Sequence, residues 1–594
     1  MKPAMLTALL LSATLASAQS APLPPAIPWN GASRALMVPA TDPWVTPSER
    51  DQLRTTPRYD ETVAYLKRLV AAAPQLKMIS IGKSDEGRDV WMVIASKERA
   101  FSPEAMRKSG KPTLLAQGGI HAGEIEGKDA GLMLLRDMTV RGTKRELLDG
   151  ANFLFVPIFN VDGHERFSRF TRINQRGPEE GGWRTNARNL NLNRDYMKAD
   201  TAEMHGMIRT IDAWNPDLYI DLHVTDGADY QYDVTYGWNG AAGFSPAISQ
   251  WLDSSLRPAV DNGLRQMGHI PGPLIFTDDP LSGVATGQAD PRLSNGYGDA
   301  RHMASILVEN HSLKPYDQRV LGMYVLLEHT LRLIARDAAG LRAATQTERA
   351  RHAKTVPLAW RVPPDAVPEQ VEVLGIESRK TLSPISGGVR TEWLGKPVTL
   401  RAPMAHATEV TASVTRPAAY WVPPQWRDVI ELIELHGIKY ERIAAPREVE
   451  VTMYRFAEPV FATPQFEGHV RVTAEATTEK RRERFPAGSL RIPTDQDLGT
   501  LAVLLLEPAS PDSLFQWGFF HSILSPTEYV EGYIMEPMAE RMLAEDPKLA
   551  EEFRKKVETD ATFRGNPTAR LQWLYEKTPF YDERARLYPV GREE

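Results

Sequence analysis

At 594 residues the chain is longer than one ordinary domain, and usual domain sizes put it at two to four units. Hydrophobic residues make up 42% and charged residues 25%, a soluble globular balance that excludes a disordered or membrane-embedded chain. The formal charge of −6 gives no electrostatic ground for nucleic acid or an anionic membrane as partner, and the absence of cysteine rules out disulfides, which suits a bacterial periplasm.

The chain opens MKPAMLTALLLSATLASAQS, with Lys2 as a positive start, an apolar stretch and the small residues Ala16, Ser17 and Ala18. This predicts a signal peptide over residues 1–18; the apolar run falls short of the roughly 20 residues that span a bilayer, so no transmembrane anchor is expected. The expected location is exported, periplasmic or secreted. A Pro-rich leader follows over 19–47, unsuited to helix or central strand and expected to wrap the surface of what comes next.

Over 48–345, helix-length amphipathic segments (ETVAYLKRLVAAA, GKDAGLMLLRDMT) alternate with short apolar strands (MISIG, VWMVIAS, TLLAQGG, FLFVPIF, LYIDLHV, SILVE). That alternation predicts an α/β domain around a largely buried sheet, closed by one helix, MYVLLEHTLRLIARDAAGLRAA. The Pro-rich stretch 356–370 is the best internal boundary. Beyond it VEVLGI, VRTEWL, KPVTLRA, TEVTASV and EVEVTMYRF alternate apolar and polar residues, as half-buried antiparallel strands do. The reading is a β-rich accessory domain over 356–530 and a helical C-terminal tail over 531–594.

The chemistry concentrates in the first domain. In LLAQGGIHAGEIEGKDAG a strand ends at a double glycine, and His121 and Glu124 follow three apart, so one turn of chain directs both toward a common point. An imidazole with a carboxylate suits a borderline cation such as zinc. A catalytic zinc needs a third protein ligand, and His223 in IDLHVTDG supplies it at the end of an apolar strand. Alternation puts Asp221 on the same face, placed to orient the imidazole through its other nitrogen. His205, His302 and His311 compete as ligands, with surface or supporting roles as their plainer reading. Glu309 ends another apolar strand, where a carboxylate is costly unless paired, hydrated or functional.

From about residue 59 to 315 the chain resembles the zinc carboxypeptidase family, with several motifs in order. IGKSDEGRDVW matches a hairpin near the domain start, GGIHAGE falls on the first two zinc ligands, and FNVDGHE resembles an Asn-Pro-Asp-Gly segment with Val161 in place of proline. In GGWRTNARNLNLNRDY, Arg184 matches the arginine that steadies the oxyanion, and Asn193 and Arg194 the pair that holds a substrate's terminal carboxylate; a guanidinium fork suits both tasks. Two departures stand out. Gly123 replaces a common arginine, and Asn191 occupies the place of an aspartate bonded to the first zinc histidine.

The resemblance implies a mixed β-sheet flanked by helices, one zinc ion per chain on His121, Glu124 and His223, and Glu309 as general base. It points to Tyr297 as the substrate-contacting tyrosine, with Arg292 in the same loop either meeting substrate or exposed. The implied activity is hydrolysis of an amide bond beside a free C-terminal carboxylate, with a peptide or peptide-like substrate and no nucleic-acid partner. Two other readings stay open: a zinc-dependent deacylase of N-acyl amino acids, and a binding protein on an inactive peptidase fold.

Overall fold

The computed structural model describes residues 21–275, 277, 279, 284–525 and 527–594; the expected signal peptide lies outside them. The chain divides into two compact units. The first comprises Met1–Ala418, Arg427–Glu441 and Ile492–Ser513; the second comprises Ala419–Trp426, Arg442–Arg491 and Leu514–Glu594.

The first unit is built on strands Leu76–Lys83 (β1), Asp89–Ala95 (β2), Thr113–Gly118 (β3), Asn152–Val156 (β4), Leu218–Val224 (β5), Val234–Gly237 (β6), Pro271–Pro273 (β7), Val284–Thr286 (β8) and Ala304–Asn310 (β9). All but β8 form one eight-stranded mixed sheet in the order β1-β2-β4-β3-β5-β9-β6-β7. The inner pairs β4/β3, β3/β5 and β5/β9 are parallel, while β1/β2, β2/β4 and β9/β6 are antiparallel. Strands β3, β4, β5 and β9 are buried along their whole length, which is why they read as continuous apolar runs rather than alternating ones. The parallel order leaves the C-terminal ends of β3, β5 and β9 side by side, and His223 pairs directly with Glu309 across β5 and β9. Ligands in open α/β sheets sit at such strand ends.

The expected closing helix is two helices, Tyr316–Arg336 and Ala338–Arg351, interrupted at Asp337, whose φ of −125° and ψ of 37° are not helical. The Pro-rich leader takes a course over the domain surface: Trp29 Nε1 donates to the Gly268 carbonyl, Ser33 Oγ lies 2.8 Å from His269 Nε2, and Arg34 pairs with Asp317.

The boundary expected at residue 356 does not divide the fold. Thr355–Arg361 (β10) pairs with Glu409–Thr415, and Glu369–Leu382 (β11) pairs with Val389–His406 (β12) as a long antiparallel hairpin; all belong to the first unit. The hairpin is bonded to the loop that follows β5. Gln231 N–H donates to the Leu374 carbonyl at 2.8 Å, and its side-chain amide donates to Gly375 and Val398 carbonyls at 3.0 Å each. Tyr230, Tyr232, Ile275, Val373 and Ala402 form one buried apolar cluster beneath these bonds. Local alternation revealed the strands, but not the surface on which they pack.

The second unit holds a ten-residue hairpin, Arg447–Phe456 against Ala476–Phe485, over a core of Trp421, Val451, Met453, Phe485 and Leu587. The helices expected at the C-terminus are present as Gly532–Glu545, Pro547–Thr559 and Pro567–Tyr575. The chain does not end in helix, because Gly591–Glu593 returns as a strand beside Ala419–Val422.

Candidate metal centre and active-site cleft

β3 ends at Gly118, and Gly119 turns the chain with a φ of +67° that glycine adopts without cost. A tight turn follows in which Glu124 N–H donates to the His121 carbonyl at 2.8 Å, and the helix Glu126–Met138 starts just after it. The turn brings His121 and Glu124 beside His223 at the end of β5. His121 Nδ1, His223 Nδ1 and Glu124 Oε2 form a triangle with sides of 3.0, 3.1 and 3.2 Å. Donors at zinc-ligand distances of about 2.0–2.1 Å in a tetrahedron are separated by roughly 3.3 Å. The donor set therefore fits a small cation in size as well as in chemistry.

The outer nitrogens fix the ring orientations. His223 Nε2 donates to Asp221 Oδ2 at 2.7 Å, as the alternation along β5 predicts. His121 Nε2 lies 2.9 Å from Asn191 Oδ1, an oxygen that also accepts the Asn193 N–H, so the imidazole is the donor. Both Nδ1 atoms are thereby aimed at the centre of the triangle. Burial alone would lower the pKa of His223, but Asp221 overrides it and holds the value well above the ordinary range. Burial pushes His121 down to about 4. Burial would also raise Glu124, yet His121 and Arg172 hold it well below the usual carboxylate range.

Several supports for this geometry come from the loops. Asn160 Nδ2 donates to the carbonyls of both Ile120 and Arg184, joining the turn that carries His121 to the segment that carries Arg184. Asp162, buried two residues on, accepts from Ser84 Oγ at 2.7 Å, Glu86 N–H at 3.0 Å and Arg88 Nη1 at 2.6 Å. The IGKSDEGR hairpin and the FNVDGHE segment are thus two halves of one structural joint.

The three donor residues open into a cleft of about 1420 Å³ that Arg184, Asn193, Arg194 and Glu309 also line. Glu309 is 8% exposed, and among the described residues its Oε2 has no hydrogen-bond partner. Burial pushes its pKa up to about 8, opposed by His223 and reinforced by Glu124 and Asp221. A buried carboxylate oxygen without a partner is costly, and Glu309 carries that cost on the wall of the cleft. Asn193 Oδ1 accepts the Ser294 N–H at 2.9 Å, and Arg194 Nη1 donates to the Asn193 carbonyl at 2.7 Å. Leu374 and Met404, from β11 and β12, reach the same cleft.

Tyr297 departs from expectation. It is fully buried, its hydroxyl lies 2.7 Å from His436 Nδ1 and accepts from Arg301 Nη1, and it does not reach the cleft. It sits inside the helix Ser294–Ala300, whose packing turns the ring inward. Arg292 is engaged with Asp512 through its backbone N–H and its guanidinium. The competing histidines are likewise bound elsewhere: His205 to the Ala199 carbonyl, His302 to Ser245 and Thr500, and His311 to Asp229 and Thr225.

Residues 62–258 match the family model described as zinc carboxypeptidase. This part of the chain is a zinc carboxypeptidase domain, which places the protein in the metallocarboxypeptidase class of hydrolases. Similar curated proteins include Carboxypeptidase 2 of Trichophyton equinum, 24% identical over 507 residues, spanning 80% of this chain and 87% of that protein. Carboxypeptidase D of Drosophila melanogaster is 30% identical over 139 residues, 22% of this chain and 9% of that protein. Among solved structures, a carboxypeptidase A from Helicoverpa armigera aligns at a TM-score of 0.36 with 19% identity, covering 49% of this chain and 74% of that one. The family match includes His121, Glu124, Arg184, Asn193, Arg194 and His223 and ends before Glu309.

Proposed function

We propose that this protein is an exported metallocarboxypeptidase that binds one zinc ion per chain and releases a C-terminal residue from peptides with a free carboxylate. The observation that carries the reading is Glu309: a buried carboxylate with one oxygen that no described residue partners, on the cleft shared with the His121, Glu124 and His223 donor set. Export is supported by the charged, apolar and small-residue order of the first twenty residues. Among the described residues, no helix is long and apolar enough to cross a membrane.

A zinc ion held by His121, Glu124 and His223 would polarise the scissile carbonyl and lower the pKa of a water to about 7. Glu309 takes the proton of that water and delivers it to the leaving amine. Asp221 and Asn191 hold the two imidazoles in the tautomer that leaves each Nδ1 free for the ion. Arg184 Nη1 lies 3.3 Å from Glu124 Oε1 and meets the oxyanion as it develops, a contact worth about 3–4 kcal/mol in comparable sites. Asn193 and Arg194 take the terminal carboxylate and set where the cut falls.

The test compares a peptide with a free C-terminus, its amidated twin and an N-acyl amino acid. Cleavage confined to the free-carboxylate peptide is the expected result. Equal cleavage of the amidated peptide refutes the carboxypeptidase assignment; preference for the N-acyl amino acid supports a deacylase; and a folded protein that neither binds zinc nor hydrolyses any of the three is a scaffold.

A further inference from the structure

Two arginines converge on one carboxylate oxygen at the metal centre, and they differ in every other respect. Arg172 Nη2 lies 3.0 Å from Glu124 Oε1 and Arg184 Nη1 lies 3.3 Å from the same atom. The Arg172 side chain is 14% exposed and stays out of the cleft, whereas that of Arg184 is 38% exposed and lines it. Arg172 is tied on its other edge, where Nε donates to Gln175 Oε1 at 3.1 Å, and Gln175 Nε2 donates to the Gly123 carbonyl at 3.0 Å. The Arg172, Gln175 and Gly123 contacts therefore return to the residue just before Glu124.

Two further observations show that this placement is built. Arg172 holds a φ of +47°, a left-handed conformation uncommon outside glycine that persists only where the surroundings enforce it. Gly123 makes the room: a Cβ there would sit 2.5 Å from Arg172 Cγ and 2.7 Å from the Gly182 carbonyl oxygen. The space that a side chain at 123 would fill is taken by the stem of Arg172, arriving from a different loop.

We propose that Arg172 is a positioning residue for Glu124, holding Oε1 so that Oε2 stays directed at His121 Nδ1 and His223 Nδ1, and that Arg184 shares Oε1 only until a substrate oxyanion draws it away. This rests on the reading of His121, Glu124 and His223 as the zinc ligands. Hydrogen-bond partners of a ligating carboxylate orient it, and losing one typically costs about 10–100-fold in metal affinity or activity. The two arginines therefore separate by function. Loss of Arg172 loosens the ligand, while loss of Arg184 removes a contact made in the transition state.

The experiment measures zinc affinity by competition with a chromophoric chelator, alongside kcat and KM, for the wild type and for Arg172→Ala, Arg172→Lys, Arg184→Ala and Gly123→Ala. Thermal unfolding of the zinc-free proteins checks that each is folded. Zinc binding should weaken about 10–100-fold in Arg172→Ala and largely return in Arg172→Lys. Gly123→Ala should resemble Arg172→Ala, because its new methyl displaces the arginine stem. Arg184→Ala should hold zinc within about 3-fold of wild type and lose about 10²–10³-fold in kcat. Wild-type zinc affinity in a folded Arg172→Ala, or equal zinc loss in Arg184→Ala, overturns the proposal. A wild type that binds no zinc instead removes the ligand assignment on which it rests.

Discussion

Asn191 Oδ1 accepts the Nε2–H of His121 at 2.9 Å, while the other histidine of the centre, His223, donates to the carboxylate of Asp221 at 2.7 Å. The two imidazoles are held in the same tautomer by acceptors of different charge. An anionic acceptor raises the basicity of the ligating nitrogen, and a neutral amide orients the ring with less of that effect. The donor triangle thus has one strongly supported histidine and one that is mainly steered.

Asn191→Asp should tighten zinc binding by about 10-fold, and Asp221→Asn should weaken it by about 10–100-fold. Competition titration against a chelator of known affinity measures both. The same direction of change in the two variants would show that acceptor charge is not what tunes the centre.

Glu309→Gln should retain zinc and lose about 10²–10⁴-fold in kcat, since a carboxamide cannot take the proton from water. Steady-state kinetics and metal content on the same preparation check this. Substantial residual turnover would refute its role as base.

The same residue makes the metal-free protein pH-sensitive. Burial raises the Glu309 pKa to about 8, against about 4.5 when unfolded, so the folded state binds the extra proton between those values. Its favourable contribution is complete below about pH 4.5 and is lost as pH rises through about 8. Zinc-free Glu309→Gln should therefore match the wild type near pH 4.5 and exceed it in stability at pH 8, by on the order of 1 kcal/mol or more. Denaturant melts at the two pH values decide the sign.

Tyr297→Phe should leave kcat/KM within about 3-fold of wild type but lower stability by about 1–3 kcal/mol, because His436 and Arg301 each lose the hydroxyl they contact. A large loss of kcat/KM at unchanged stability would restore Tyr297 to the substrate.

How much of the site can be read from sequence depends on how far apart its parts lie along the chain. His121 and Glu124 share one turn and His223 and Glu309 each end an apolar strand, so their placement follows from local geometry and strand order. The Asp221 contact follows from alternation by two. Arg172 sits in a loop with no period, and only the space left by Gly123 hints that another chain segment enters there. Tyr297 had the right chemistry and the right loop, but the helix Ser294–Ala300 turns it inward, a rotation that residue type does not encode. The long hairpin was legible as strands; its partner, the Tyr230–Tyr232 loop, lies about 140 residues earlier and leaves no mark in the local pattern.

That hairpin changes what counts as a removable piece of this protein. A fragment cut at residue 345 would keep the donor triangle and Glu309 yet strip the cover from Tyr230, Tyr232 and Ile275 and leave the Gln231 amide without its acceptors. The stretch that matches the zinc carboxypeptidase family, residues 62–258, is therefore shorter than the stretch that must be made together for the cleft to have walls. A break between β9 and β12 would remove the part of the cleft wall that Leu374 and Met404 supply.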